Sequence, residues 1–215
     1  MHFLAEGTEK KEEQAEKSDI ASMLSVALDK QPELRVTGIY GDINEERCAE
    51  TTYGLLALEQ TAITNIVDEE TGETKIIIEP IDFYISTYGG QASEMFGVYD
   101  LMRLIKQQIP IRTYGIGKVM SAGVLLLAAG TKGERRLGRN CRVMIHGVIS
   151  GQHGHIADVE NEFSEAKMTQ KLYVKALVEE TNMTDKEIRK MMNKKTNVYI
   201  DAEKAVELGI ADIIF

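Results

Sequence analysis

Ile111-Arg112-Thr113-Tyr114-Gly115-Ile116-Gly117-Lys118-Val119-Met120-Ser121-Ala122-Gly123-Val124-Leu125-Leu126-Leu127-Ala128-Ala129-Gly130 changes character halfway along. Residues 111–116 read as a strand, and 121–130 as a helix whose unbroken apolar run suits a buried position. Working outward, 81–86 reads as a strand and 91–108 as a helix. Downstream come a strand at 142–146, a long helix at 157–181, shorter helices at 184–193 and 201–208, and a last strand at 211–215. Strands alternating with helices imply stacked βαβ units, a mostly parallel sheet and an α/β fold.

Before this core, 35–41 reads as a strand, Gly41-Asp42 as a turn, and 44–61 as a helix with Leu55, Leu56 and Leu58 among its apolar positions. Asp68-Glu69-Glu70-Thr71-Gly72-Glu73 separates two apolar runs, as the turn of a hairpin does. Residues 1–19 are charged, with few side chains to bury, and are expected to be a flexible tail. Asp19 is placed to N-cap a short amphipathic helix reaching about Leu28. No repeat or low-complexity linker divides the rest, so 20–215 is expected to be one domain.

The 215 residues are 43% apolar and 27% charged, with a net charge of −9. That sign argues against nucleic acid, whose phosphates call for clustered Lys and Arg. The short basic cluster Lys132-Gly133-Glu134-Arg135-Arg136 reads as a solvated loop. No apolar run is long enough to span a bilayer, and Met1–Gly7 turns polar too soon for a secretory signal, so a cytoplasmic location is expected. Cys48 and Cys141 form no CxxC pair and are read as reduced thiols.

Four features at loop ends could carry chemistry. Tyr88-Gly89-Gly90 joins strand 81–86 to helix 91–108, and paired glycines let bare N–H groups approach a ligand. Ser121 stands at a helix start, beside backbone donors and the positive end of the helix dipole, although serine also serves there simply as an N-cap. Val119 breaks the GxSxG pattern, and no spaced glycine makes a P-loop of Gly117-Lys118. His146 ends an apolar strand twenty-five positions after Ser121. In a parallel sheet both side chains would emerge at one edge, where an imidazole can take the serine proton. The fourth feature, 147–155, is glycine-rich. Its His153 and His155 lack a cysteine or carboxylate cluster, so a solvated loop is expected rather than a metal site.

Together these pieces resemble the ClpP family of ATP-dependent, self-compartmentalising caseinolytic serine peptidases over about residues 35–215. The resemblance rests on Gly89-Gly90, Tyr99-Asp100, Met120-Ser121-Ala122-Gly123, Leu126-Leu127-Ala128-Ala129-Gly130, Met144-Ile145-His146, Asp158, and the run from Ala202 to Asp212. It implies a crotonase-like fold with a projecting handle helix, two stacked heptameric rings of a homo-oligomer, and no cofactor or metal. It also implies Ser121 as nucleophile and His146 as base, with an oxyanion hole from the N–H groups of Gly90 and Ala122. Gly89, Gly147, Val148, Ile149 and Ser150 would bind an unfolded protein or peptide, fed by an AAA+ unfoldase of the ClpX, ClpA or ClpC type. Neither nucleic acid nor a membrane is implied as a partner.

Where the family carries its catalytic aspartate, this chain has Asn197, which implies a slow peptidase. Asp201 is a substitute acid or, more simply, an N-cap. Ala122 replaces the usual methionine without loss of an N–H. The front of the chain and the acidic insert 68–73 also depart, as in a divergent phage- or plasmid-borne copy. The alternative reading is a catalytically weak or inactive ring subunit. Acyl-CoA hydratases of the same superfamily would need glutamates at the loop ends, and a dinucleotide binder would need GxGxxG after the first strand; the sequence has neither.

Overall fold

The computed structural model describes residues 34–67, 73–194 and 196–215. The expected tail and the helix ending near Leu28 lie outside them, as does the tip of the hairpin. Arg35–Phe215 forms one unit.

The element order is β1 (Val36–Ile43), α1 (Glu45–Gln60), β2 (Ile63–Val67), β3 (Thr74–Ile78), β4 (Ile81–Gly90), α2 (Ala92–Ile105), β5 (Ile111–Met120) and α3 (Ala122–Ala128). It continues with β6 (Arg136–Leu137), β7 (Arg142–Ile145), α4 (Ile156–Glu180), α5 (Asp185–Met192), β8 (Val198–Ile200), α6 (Ala202–Glu207) and β9 (Ile213–Ile214). The fold is α/β with a largely parallel sheet, as the alternation implies.

β5 organises the sheet. One edge pairs with β4, which pairs in turn with β1, all in parallel. Its other edge serves two partners: Tyr114 and Gly115 pair with β6, while Lys118, Val119 and Met120 pair with Arg142, Val143 and Met144 of β7. β8 closes on β7 antiparallel, and β9 lies beside β6. The expected turn at Gly41-Asp42 is not a turn. β1 runs through it to Ile43, absorbing it as a register shift between Tyr40 and Asp42.

Helix faces follow their apolar spacing. In α2, Met95, Val98, Tyr99, Met102 and Ile105 are buried, an i, i+3, i+4, i+7 stripe turned to the core. Every residue of α3 is buried, so it is a core helix. α4 divides by composition: residues up to Leu172 are mostly exposed, whereas Tyr173, Val174, Ala176, Leu177 and Glu180 are buried. Its last two turns carry its buried residues. Glu180 takes bonds from the Tyr99 hydroxyl at 3.2 Å and Lys106 Nζ at 3.2 Å, so the buried carboxylate is paired.

Arg135 corrects the reading of 132–136 as a solvated loop. It is 4% exposed. Its guanidinium donates to the carbonyls of Ala128, Glu180 and Gly209 and, through Nε and Nη2, to Asp212. One side chain thereby ties together the ends of α3 and α4 and the segment entering β9.

β2 and β3 form a separate two-stranded antiparallel ribbon. The register Ile63↔Ile78 and Asn65↔Ile76 puts Ile63, Val67, Ile76 and Ile78 on one face, and all four are exposed. Arg35 braces the base of the ribbon, donating to Thr61 Oγ1 at 2.8 Å and lying 3.9 Å from Glu79.

Candidate active site

Ser121 occupies the corner between β5 and α3. Its φ of 53° and ψ of −122° make it the one non-glycine residue with positive φ among the described residues. Such backbone costs on the order of 1–3 kcal/mol and persists only where neighbours enforce it. They do so here: the Ser121 N–H donates to Met144 O of β7 at 2.8 Å, and its C=O accepts from Val124 N–H at 3.0 Å and from the Tyr173 hydroxyl at 2.8 Å. The side chain makes no capping bond, so the N-cap role does not account for this serine.

The glycine pair reaches the same corner from β4. Gly89 and Gly90 have φ of 104° and 154°, and a Cβ on either would collide, at Gly89 with Ser121 and at Gly90 with Ile43 O. Ile43 O accepts the N–H of Gln91. In a parallel ladder this makes Ile43 the bonded member of the Ile43↔Gly90 pair, and the peptide groups of Gly90 turn away from β1.

His146 follows β7 directly. Because Met120 pairs with Met144, the serine and the histidine leave neighbouring parallel strands at the same edge, as their spacing implies. Burial lowers the His146 pKa below its ordinary value, which favours the neutral imidazole, the form able to accept a proton. Among the described residues, no hydrogen bond joins Ser121 Oγ to His146.

A cavity of about 700 Å³ gathers Gly89, Gly90, Ser121, Ala122, His146 and the start of the following loop, Gly147 to Ile149. Ser150, expected in the same place, lies instead along a second groove with Gln152, Phe163 and Lys167, because the loop crosses from the cavity toward α4. Val148 N–H donates to Gln170 Oε1 at 3.1 Å. Asn197 is exposed and does not line the cavity. The antiparallel register of β8 on β7 runs Met144↔Tyr199 and Ile145↔Val198, so Asn197 comes one residue before β8 and His146 one residue after β7. Asp201 is the N-cap of α6, accepting from Lys204 N–H at 2.9 Å, as its simpler role required.

Sequence reasoning missed Tyr173 and Met95, which also line the cavity. Both fall on the buried stripes of their helices, the one signal that could have found them. Among the described residues no group of His, Cys, Asp or Glu could hold a metal ion, and no helix is long and apolar enough to cross a membrane. Both cysteines are buried and unpaired, and burial pushes their thiols up to about 11.

The sheet, the core helix beneath the serine and the helix anchored by its last turns define an α/β fold of the ClpP and crotonase kind. The family model for Clp protease matches residues 33–215, and the chain belongs to that family. It is 28% identical over 211 residues to the ATP-dependent Clp protease proteolytic subunit 2 of Treponema denticola, covering 98% of this chain and 93% of that one. It is 32% identical over 136 residues to proteolytic subunit 1 of Corynebacterium glutamicum, covering 63% of this chain and 64% of the relative. Proteolytic subunit 2 of Corynebacterium jeikeium gives 32% over 136 residues, covering 63% of each chain. The matches to the two corynebacterial subunits thus span somewhat under two thirds of their length. Membership supports a peptidase role in general terms.

Proposed function

We propose that this chain is the proteolytic subunit of a self-compartmentalising serine endopeptidase. The observation that carries the reading is the strained backbone of Ser121, held at a cavity it shares with His146. In the reaction, Ser121 Oγ attacks the scissile carbonyl carbon as His146 takes the hydroxyl proton. The N–H groups of Gly90 and Ala122 meet the oxyanion. The C–N bond then breaks as His146 protonates the leaving amine. Water, deprotonated by the same imidazole, attacks the acyl-serine and frees the acid and Ser121.

Gly89 and the loop 147–150 are read as the strand-like cradle for an extended peptide. Asn197 orients His146 through its amide oxygen but adds no charge to stabilise imidazolium. The exposed apolar residues of α4, Ile156, Phe163, Met168 and Leu172, support assembly into stacked heptameric rings, supplied by an AAA+ unfoldase. Two unpaired thiols suit a reducing cytoplasm.

The test is a fluorophosphonate probe. Labelling that maps to Ser121 and vanishes in Ser121→Ala supports the enzyme, with native mass reporting the ring. Asn197 favours a second reading, an inactive ring subunit; an assembled but unlabelled chain would establish that instead.

A further inference from the structure

Ser121 C=O and Ala122 N–H belong to one peptide unit. That unit is planar and trans, so its carbonyl and its N–H point in opposite directions. Whatever fixes the carbonyl aims the N–H. Two donors fix it: Val124 N–H at 3.0 Å, from the first turn of α3, and the Tyr173 hydroxyl at 2.8 Å, from α4. The second is not a local bond, because it spans 52 positions of the chain and comes from another helix. A buried tyrosine hydroxyl needs a partner, but any carbonyl would satisfy it. The one it meets belongs to the residue with the most unusual backbone in the described chain.

We infer that Tyr173 is a positioning residue for the oxyanion hole: by donating to Ser121 C=O it holds the Ser121–Ala122 peptide in the plane that turns the Ala122 N–H into the cavity. The inference rests on the serine-peptidase reading above. Three further observations support it. Tyr173 lines the same cavity as Ser121 and Ala122, so the bond lies at the site. Burial raises the phenol pKa well above its ordinary value, so the hydroxyl keeps its proton and remains a donor. A hydrogen bond to the carbonyl also polarises the peptide and strengthens its N–H as a donor. Negative charge develops on the substrate oxygen only as the transition state forms. The effect therefore belongs to kcat rather than to KM.

Wild type, Tyr173→Phe and Tyr99→Phe chains are compared at full length. Tyr99 is the control: it has a buried hydroxyl, bonded to Glu180 and away from the cavity. Peptide hydrolysis, the rate of fluorophosphonate labelling at Ser121, thermal midpoint and native mass are measured for each. Tyr173→Phe is expected to lower kcat and the labelling rate about ten-fold, since Val124 N–H still holds the carbonyl. KM and the acid limb of the pH profile should stay where they were. Tyr99→Phe should lower the thermal midpoint while keeping kcat within about two-fold.

A Tyr173→Phe rate within about two-fold of wild type overturns the inference alone. So does an equal fall from Tyr99→Phe, which would mark general loosening. A wild-type chain that never labels at Ser121 overturns the peptidase reading and takes this inference with it. Should the phenylalanine variant not fold, Tyr173→Met fills the space without a donor, and an unchanged rate there is equally fatal.

Discussion

A methyl group on Gly89 would lie 2.6 Å from the Cβ of Ser121 and 3.1 Å from its Oγ. The end of β4 is thus fitted against the serine with no room for a side chain, and its φ of 104° is one that alanine avoids. Gly89→Ala is expected to cost about 1–3 kcal/mol from strain and displacement and to abolish probe labelling at Ser121. The urea midpoint and the labelling yield check the two parts. Full labelling in a destabilised variant would separate Gly89 from the site.

His146 directly follows β7 and Asn197 directly precedes its partner β8, which gives a gain-of-function test. Asn197→Asp introduces a charge able to stabilise imidazolium, and the loss of such a charge costs up to about 10⁴ in kcat elsewhere. At least a ten-fold rise in kcat is expected, together with an upward shift of the His146 pKa toward or past its ordinary value. No rise in an assembled ring would mean that the third position lies at another residue.

The pH profile has a definite sign. A general base must be neutral, and burial lowers the His146 pKa from 6.5. The active form is therefore present above that lowered value and is lost as pH falls through it. A plot of kcat/KM against pH should show one acid limb with an apparent pKa below 6.5, found by steady-state peptide hydrolysis. An acid limb above 6.5 would contradict the assignment.

Arg135 and Asp212 carry a stability prediction. Arg135→Met strips donors from three buried carbonyls and removes the cation from Asp212, which keeps only backbone N–H donors. Breaking a buried pair in this way costs about 3–5 kcal/mol, read from denaturant unfolding. Burial alone would raise the Asp212 pKa, but bonds from the Arg135 guanidinium, Arg135 N–H and Gly133 N–H outweigh it and lower the value below 3.8. The contribution of Asp212 is accordingly intact above the ordinary aspartate range and fades as pH falls through the lowered value. Acid unfolding of the Arg135→Met chain should begin at a higher pH than that of wild type.

Most of the architecture was readable because helices and strands keep different periods. The run from 81 to 130 alternates apolar strands with a helix bearing a 3.6-residue stripe and a second helix apolar throughout, and each element appears within a few residues of its expected bounds. The topology then made it legible that Ser121 and His146 leave neighbouring strands at one edge, since parallel neighbours end together. What escaped was non-local. β8 is three residues long and is defined by its partner β7 rather than by its own pattern. Arg135 looked like a surface charge because its acceptors, the carbonyls of Ala128, Glu180 and Gly209 and the carboxylate of Asp212, come together only after folding. The Tyr173 bond to Ser121 has no local signature, because helix spacing marks a residue as buried without naming the carbonyl its hydroxyl will find.

The β2–β3 ribbon has a consequence for the chain in isolation. Two strands alone are barely stable in water, and this pair holds a row of aliphatic side chains against solvent. Its amides should therefore be the first among the described strands to take up deuterium, long before those of β4 and β5 at the middle of the large sheet. A ribbon that exchanged as slowly as β4 would mean that something beyond its own two strands holds it.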